Sequence, residues 1–331
     1  MPGLLAHEGA EVVAICGNAR RARTLADKFG IADALDDVEA LCRRDDIDAI
    51  TIASRNSNHL TQALTAFRHG KHVFCEKPLG VDTSECRAML DAAHSSGRVH
   101  RVAFVFRYNY GVRELRRRVR DGDIGEPFYC RIQYDNWDRL KDGWQPGWRD
   151  LAGHGLLMDM GPHLFDIARF AIGPIERAIG FTQKITRSSE ARDDTADDLF
   201  NAWTRHSGGV RGQFFVSRAT PSLTRNGYLE VIGTDGALKA ALSRGAYDSL
   251  EASKPSAPEW VALPLPPAAS DKQPHCLALM MGSFVDACLR SAPDPEVDAT
   301  FEDGLAAQQA IEATLVSEST GRWTEIDGAA H

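Results

Sequence analysis

The chain has 331 residues, 43% of them hydrophobic and 25% charged, an ordinary composition for a globular protein long enough to form two separate cores. Its formal net charge of −8 argues against a nucleic-acid partner, because binding a phosphate backbone needs a concentrated basic face. No apolar run approaches the ~20 residues of a membrane span, and the N-terminus lacks a signal-peptide pattern, so no membrane partner is expected.

Cysteine usage bears on both metal binding and location. The seven cysteines are scattered, with no Cys-x-x-Cys pair and no zinc-like spacing, so no metal site is predicted. An odd number of cysteines without a secretory context predicts reduced thiols in a cytoplasmic protein. Cys75 falls inside an apolar run and is predicted to fill a core rather than to act as a nucleophile.

The first hundred residues alternate short apolar runs with amphipathic stretches. Strands are predicted at 11–16, 47–53, 71–75 and 99–106, and helices at 19–29, 59–69 and 83–96. Buried strands that alternate with helices predict a parallel, doubly wound α/β sheet of the Rossmann type. We assign this dinucleotide-binding domain to residues 1–106.

After residue 107 the pattern changes, because predicted strands follow one another without intervening helices. These strands are 128–134, 178–185, 198–204, 210–217 and 228–233. They predict an α+β domain over residues 107–331, with a mostly antiparallel sheet and helices on one face. The basic run 113–120 is predicted to be the solvated face of a helix, 250–275 an irregular excursion, and 276–290 and 301–320 two closing helices.

Two separate segments carry residues suited to acid–base chemistry. Residues 153–163 read Gly-His-Gly-Leu-Leu-Met-Asp-Met-Gly-Pro-His, which places Asp159 and His163 one turn apart if the segment is helical. A carboxylate that orients an imidazole makes a general-base pair. Far upstream, Glu76-Lys77-Pro78 follows a predicted strand, and ligands of open α/β sheets bind beyond the carboxyl ends of the strands.

These two segments, together with residues 301–317, make the chain resemble the Gfo/Idh/MocA family of nicotinamide-dependent oxidoreductases nearly end to end. The Glu-Lys-Pro tripeptide, the glycine-led Asp-x-x-x-His run and the closing helix match three of the family's signatures. The resemblance implies hydride transfer between a nicotinamide cofactor and a secondary hydroxyl or ketone of a sugar, cyclitol or sugar derivative, at a site between the two domains.

The resemblance also implies roles for three catalytic residues, which would bind the substrate as well. His163 would be the general acid/base, Asp159 would position it or hold the substrate, and Lys77 would polarise the reacting oxygen and hydrogen-bond the hydroxyl. Each of two residues also has a purely structural interpretation. Lys77 would be a lysine at a strand end that pairs with Glu76, and His163 would be a helix histidine that hydrogen-bonds a carbonyl. Each alternative is favoured in isolation, whereas all three residues together in family order favour catalysis.

The segment after the first recognisable strand bears on the choice of cofactor. Asn18, Arg20 and Arg21 stand where an acid would bind the ribose 2′-hydroxyl of NAD, and no acid occurs before Asp27. Arginines there suit a 2′-phosphate, so NADP is the expected cofactor, with NAD as the alternative. The alternative is that both arginines are solvated residues in the first turn of a helix.

Further contacts follow from the resemblance. On the cofactor side it implies Asn56, His59, Glu76, Lys77, Arg107, Trp148 and Arg149, and on the substrate side His154. For Arg107 and Arg149 the alternative is a structural salt bridge, and for Trp148 it is aromatic packing. Arg55 replaces the proline usual before the Asn56 turn. Because His154 replaces a glycine in the family's triplet, substrate preference cannot be carried over from glycine-triplet members.

One family feature is not found in the sequence. Family members begin with a strand and a Gly-x-Gly-x-x-Gly turn that binds the pyrophosphate, and neither precedes Met1-Pro2-Gly3 here. Either the sequence starts late, which we favour, or the chain is a variant that binds cofactor weakly or not at all. The second reading keeps open a non-catalytic nucleotide- or sugar-binding regulatory protein on the same scaffold. A homo-oligomer is expected by analogy.

Overall fold

The computed structural model describes residues 1–140, 155–185, 196–220, 227–243, 248–265 and 276–326. The chain divides into two compact units, the first formed by residues 1–103 with 277–305 and the second by 104–276 with 306–331. The predicted domain boundary after residue 106 lies close to residue 103, where the chain first passes from one unit to the other. It does not anticipate the return of residues 277–305, because an amphipathic helix does not reveal in its sequence which core it covers.

Residues 1–103 alternate helices and strands, as the sequence predicts. In chain order they are α1 (Pro2–Leu5), β1 (Ala14–Cys16), α2 (Ala19–Phe29), β2 (Asp33–Leu35), α3 (Val38–Cys42), β3 (Ala49–Ile52), α4 (His59–Arg68), β4 (His72–Cys75), α5 (Thr83–Ser96) and β5 (His100–Val102). Every strand pair here is parallel, which confirms the Rossmann-type fold class. The short elements β2 and α3 escaped prediction.

The parallel strands of the first unit form two separate sheets, β1-β2 and β3-β4-β5. Within the described residues, β1 pairs with β2 alone and β3 pairs with β4 alone.

Local capping explains why two helices of this unit begin as predicted. The side chain of Asn18 accepts a hydrogen bond from the Arg21 amide at 3.4 Å and caps α2. Asp82 accepts from the Glu85 amide at 2.8 Å and caps α5. Each bond satisfies an amide that the first helical turn would otherwise leave without a partner.

The rest of the chain is mainly one large sheet with helices. Its elements are α6 (Tyr110–Arg120), β6 (Pro127–Asp135), α7 (Gly155–Ile172), β7 (Ile175–Gln183), β8 (Leu199–His206), β9 (Arg211–Ser217), β10 (Gly227–Gly233), β11 (Ala237–Leu242), β12 (Leu250–Lys254), β13 (Ala257–Ala262), α8 (Cys276–Arg290), α9 (Phe301–Thr320) and β14 (Thr324–Glu325). The strand order is β13-β12-β11-β10-β6-β9-β8-β7-β14. Among the described strands of this sheet, only β6 and β9 pair in parallel, so the prediction of a mostly antiparallel sheet is confirmed.

The prediction of an irregular excursion over 250–275 is wrong for its first half, which forms the hairpin β12–β13. Every residue of β13 is exposed, so no alternation of buried and exposed side chains marks it as a strand. Pairing of Ala252 with Val261 and a contact of the Lys239 ammonium with the Trp260 ring, 4.2 Å from its centroid, hold this edge strand in place. Residues 266–275 lie outside the described parts of the chain.

The core of the second unit lies between the helices and one face of the sheet. Alternate residues of β6, β8, β9 and β10 point into it, among them Ile132, Phe200, Phe214 and Leu229, all fully buried. Side chains from α6, α7 and the later turns of α9 cover them. The helices therefore lie on one face of the sheet, as the sequence predicts.

Charge and thiol chemistry in the structure follow the sequence-based expectations. In α6, Arg113, Arg117 and Arg120 are exposed, which confirms a solvated charged face, and Arg117 and Arg118 both bond the Glu114 carboxylate, at 2.7 and 2.8 Å. All seven cysteines are free thiols, and the fully buried Cys75 packs in a core, where burial raises the pKa of its thiol. None of the helices in the described ranges combines the length and apolar composition that crossing a membrane requires.

Candidate active site

The glycine-led segment begins helix α7 through a close contact with Asp197. Gly155 has φ of +50°, and a Cβ atom there would lie 1.8 Å from Asp197 Oδ1, so only glycine fits. The backbone carbonyl of Asp197 accepts from the Leu156 amide at 3.1 Å, and its carboxylate accepts from the Leu157 amide at 2.9 Å. A residue just before β8 thus caps the first turn of α7, a role that no sequence pattern revealed.

Burial raises the pKa of Asp197 from 3.8 to about 6, against the lowering effect of its backbone hydrogen bonds and of Arg218. The folded protein therefore binds more protons than the unfolded chain between these two values, and folding stability falls as pH rises through that range. We expect the wild type to lose unfolding free energy relative to Asp197→Asn between pH 4 and pH 6.5 or so, as measured by urea denaturation. Parallel pH profiles for the two proteins would contradict this assignment.

Asp159 and His163 lie one turn apart on α7, as predicted, and each is held by neighbours in the second unit. His163 is 3% exposed, and its ring packs edge-on against Phe104 and Phe106 with centroid distances of 6.0 and 5.4 Å. The carboxylate of Asp159 pairs with the Arg218 guanidinium, Oδ2 to Nη2, at 2.9 Å. The aromatic pair restrains the imidazole plane, and the contact with Arg218 restrains the Asp159 side chain.

Lys77 follows the carboxyl end of β4, where ligands of open α/β sheets bind. The Glu76 amide continues the pairing of β4 with β3 by donating to the Ile52 carbonyl at 2.9 Å. The Lys77 amide donates to the Glu76 carboxylate at 3.3 Å, and the Lys77–Pro78 peptide bond is cis. The structure therefore places Lys77 in a defined loop at the sheet edge predicted for it.

Asn18, Arg20 and Arg21 form the start of α2, directly beyond the carboxyl end of β1. Both arginines are exposed, and within the described residues neither guanidinium makes a hydrogen bond or an ion pair. The next acid along the helix, Asp27, is engaged by Arg23 at 2.9 Å. Two unpaired guanidinium groups at a helix N-terminus fit an anionic ligand such as a phosphate ester.

Two polar residues predicted on the cofactor side are buried near the end of β3. Asn56 is 6% exposed, and its side chain accepts from the Ser57 amide at 3.1 Å. His59 is 1% exposed, and both of its ring nitrogens face backbone carbonyls of the chain itself.

Arg107 is 5% exposed and bonds Asp166 of α7 through two nitrogens, Nε to Oδ2 at 2.9 Å and Nη2 to Oδ1 at 2.5 Å. Its guanidinium also lies over the Phe170 ring, 4.9 Å from the centroid. The salt bridge that the sequence offered as the alternative for Arg107 is present. The predicted site residues Trp148, Arg149 and His154 lie outside the described residues.

One group in the described ranges has the composition of a metal site. His94, His100 and Glu302 cluster in the first unit, with His94 Nε2 2.6 Å from Glu302 Oε1. His100 Nδ1, however, accepts a hydrogen bond from the Phe301 amide at 3.1 Å, which uses the lone pair that a metal ion would need. We assign no metal to this cluster.

Comparison with known families fits this arrangement in both units. Residues 1–104 match the family described as "Oxidoreductase family, NAD-binding Rossmann fold", and residues 112–239 match the "GFO/IDH/MocA C-terminal domain". The chain belongs to the Gfo/Idh/MocA family and is a nicotinamide-dependent oxidoreductase.

Named relatives and solved structures agree with the family assignment. The chain is 27% identical to the D-apiose dehydrogenase of Paraburkholderia graminis, over 96% of this chain and 84% of the relative. It is 31% identical to the 1,5-anhydro-D-fructose reductase of Ensifer adhaerens, over 71% and 70%. The structure of levoglucosan dehydrogenase in complex with NADH and levoglucosan matches with a TM-score of 0.86 at 22% identity, over 98% and 93%, which shows the shared fold. These names give no support to the non-catalytic alternative.

Proposed function

We propose that the chain transfers a hydride between a nicotinamide cofactor and a secondary hydroxyl or ketone of a sugar, cyclitol or sugar derivative. The observation that carries this proposal is helix α7, which presents Asp159 and His163 one turn apart behind a first turn built around Gly155 and Asp197. Its relatives named as D-apiose dehydrogenase and 1,5-anhydro-D-fructose reductase support a carbohydrate substrate.

Three side chains divide the proposed chemistry. When bound, the nicotinamide ring accepts or donates the hydride. His163 takes the hydroxyl proton during oxidation and returns it during reduction, which its packing between Phe104 and Phe106 favours by fixing the ring. Asp159 supports the charged imidazole or holds the substrate, and the Lys77 ammonium polarises the reacting oxygen.

A substrate screen tests the proposed function directly. Pentoses, anhydro-sugars, aldoses and inositols would be incubated with the purified protein and each of NAD⁺, NADP⁺, NADH and NADPH, with absorbance read at the nicotinamide band. At least one carbohydrate is expected to turn over, and Lys77→Ala is expected to lose that activity. The proposed function would be contradicted if no pair of carbohydrate and cofactor turned over and if nicotinamide fluorescence did not change at millimolar cofactor.

We propose NADP(H) as the preferred cofactor, with NAD(H) as the alternative, because Arg20 and Arg21 follow β1, where a 2′-phosphate is expected to bind. Both are exposed, and neither guanidinium has a partner among the residues that the structure describes. The double variant Arg20→Ala/Arg21→Ala is expected to raise the KM for NADP(H) by tenfold or more, since each hydrogen bond to a charged group contributes about 1.5–3 kcal/mol. The KM for NAD(H) is expected to change little.

The control for this cofactor test is Arg23→Ala, which removes a neighbouring arginine that already pairs with Asp27. It should leave both KM values near those of the wild type. An equal rise in the KM for NADP(H) and for NAD(H) in the double variant would instead show that the two arginines attract either cofactor by charge and do not recognise a 2′-phosphate.

Some of the other predicted residues are proposed to contact the ligands directly, and others to act through neighbouring residues. Asn18, Asn56, Glu76, Trp148 and Arg149 are proposed to contact the cofactor, and His154 the substrate. Arg107 and His59 are engaged by Asp166 and by backbone carbonyls, so we propose that they act through these partners rather than by touching the cofactor.

We also propose a homo-oligomer in which a second copy packs on the sheet face opposite the helices. Aromatic side chains of β7 and β8 are exposed there, Phe181 by 48% and Trp203 by 40%, near a surface cavity of about 320 Å³ lined by Arg131, Gln133, Asn201, Gln213, Phe215 and Tyr228. Light scattering is expected to give a multiple of the chain mass, and Trp203→Glu should shift it toward the monomer. A wild-type monomer at micromolar concentration would contradict this.

A cytoplasmic location and a small-molecule partner complete the proposal. All seven cysteines are free thiols, which suits a reducing compartment. The net charge of −8 disfavours nucleic acid as a partner. Cell fractionation tests the location.

A further inference from the structure

We propose that His59 and Gly304 are positioning residues for Lys77, because they fix the two residues that follow it in the chain. The inference rests on the proposed role of Lys77 and deepens it. His59 belongs to α4 and Gly304 to the first turn of α9, so the Lys77 loop is held from two elements that lie far apart in the sequence.

His59 joins the loops that follow two neighbouring strands. Its Nδ1 lies 3.0 Å from the Pro78 carbonyl oxygen and 3.2 Å from that of Leu79, and its Nε2 lies 3.4 Å from the Ser54 carbonyl oxygen. Ser54 follows β3, and Pro78 follows β4, its parallel partner. Since the buried ring directs both nitrogens at the chain's own carbonyls, it has no polar edge left for a cofactor.

Gly304 leaves room for the side chain of Leu79, the next residue of the same loop. A Cβ atom at Gly304 would lie 2.7 Å from Leu79 Cδ2 and 3.0 Å from Leu79 Cβ, so a side chain there would displace Leu79. Leu79 is 1% exposed. The glycine lies inside a helix, where alanine would be preferred by about 1 kcal/mol, so close packing with Leu79 accounts for its presence.

These contacts hold Pro78 by its carbonyl and Leu79 by its carbonyl and side chain. Lys77 therefore lies between a hydrogen-bonded strand end at Glu76 and two fixed residues, which restricts the directions its ammonium can take. A displacement of 1 Å in a catalytic group costs about 10²-fold in rate. The loss is expected in kcat, because neither His59 nor Gly304 is placed to contact the cofactor.

Two variants, two matched controls and one rescue variant test the inference. His59→Phe keeps a ring but removes the contacts to the carbonyls, and Gly304→Ala displaces Leu79. The controls are His72→Phe, which removes a buried histidine that accepts from Val99 at the opposite end of β4, and Gly282→Ala, a glycine inside α8 whose added Cβ would meet only His7, at 3.5 Å. His59→Gln should restore part of the function because its amide can still donate to a carbonyl.

Both test variants are expected to lower kcat by about 10- to 100-fold and to leave the cofactor Kd within about twofold. Both should also speed amide hydrogen exchange in the peptide 76–82 by about tenfold or more. The two controls should leave kcat and the exchange of this peptide unchanged. A weaker cofactor Kd with unchanged exchange would overturn the inference and return His59 to the cofactor site.

Failure of the proposed function gives a different result. Faster exchange in peptide 76–82 combined with full activity of Lys77→Ala would reject Lys77 as a catalytic residue while retaining the loop contacts. Unchanged exchange in both variants would reject the positioning role even in a fully active enzyme.

Discussion

Replacing His163 by alanine is expected to reduce kcat by about 10²- to 10⁴-fold, the usual contribution of a general acid–base residue. The imidazole is the proposed proton acceptor, and its contacts with the Phe104 and Phe106 rings fix its orientation. The cofactor Kd, followed by nicotinamide fluorescence, should stay close to the wild-type value. Stopped-flow or steady-state absorbance with the substrate found by screening gives the rate.

Folding and catalytic effects of this change can be separated with a second histidine. His206 is also fully buried and bonds the Gly173 carbonyl at 2.8 Å, and burial lowers its pKa to about 4. His206→Ala should therefore cost stability but not turnover per folded molecule. An active His163→Ala variant would show that another group carries the proton, and Asp159 would become the first candidate.

Replacing Asp166 by alanine is expected to lower the free energy of unfolding by about 3–5 kcal/mol, the usual cost of breaking a buried ion pair. Arg107 is only 5% exposed, so removal of its carboxylate partner leaves a buried charge with two of its hydrogen bonds lost. Urea denaturation followed by circular dichroism measures the change. The result would show that Arg107 acts in the fold through α7, the helix that carries His163.

The control for Asp166→Ala is Asp27→Ala, which breaks the exposed pair of Asp27 with Arg23 and should cost no more than about 1 kcal/mol. The double variant Arg107→Met/Asp166→Leu should recover much of the stability, because an apolar pair leaves no buried charge. A loss below 1 kcal/mol in Asp166→Ala alone would show that Arg107 reaches water or another anion.

Local signals in the sequence locate most of the helices, although not the short α3. The predicted bounds of α2, α5, α8 and α9 agree with the structure at both ends, since caps and hydrophobic period act within a few residues. The sequence predicts strands longer than those observed, as in 99–106, where β5 has three residues and a 3₁₀ turn over Val105–Tyr108 follows. The edge strand β13 was missed because all its residues are exposed.

The sequence predicts a residue of the candidate site only where that residue belongs to a recognisable motif. Lys77, Asp159 and His163 stand inside short signatures, and the structure places them at a strand end and on one helix. Asp197 and Arg218 belong to no signature, and their partners come from α7, far back in the chain. Arg107 could not be assigned to Asp166 in advance, because nothing in either segment specifies that pairing.

The cap on α7 also limits how this enzyme can be recombined with its relatives. The helix that carries Asp159 and His163 begins against the carboxylate of Asp197, which the chain reaches only after β7. A chimera that exchanges residues 153–172 alone would separate Gly155 from the side chain it is shaped to receive. Exchange of the helix together with the segment around residue 197 keeps that fit. A functional transplant of this site therefore needs at least these two distant stretches of sequence.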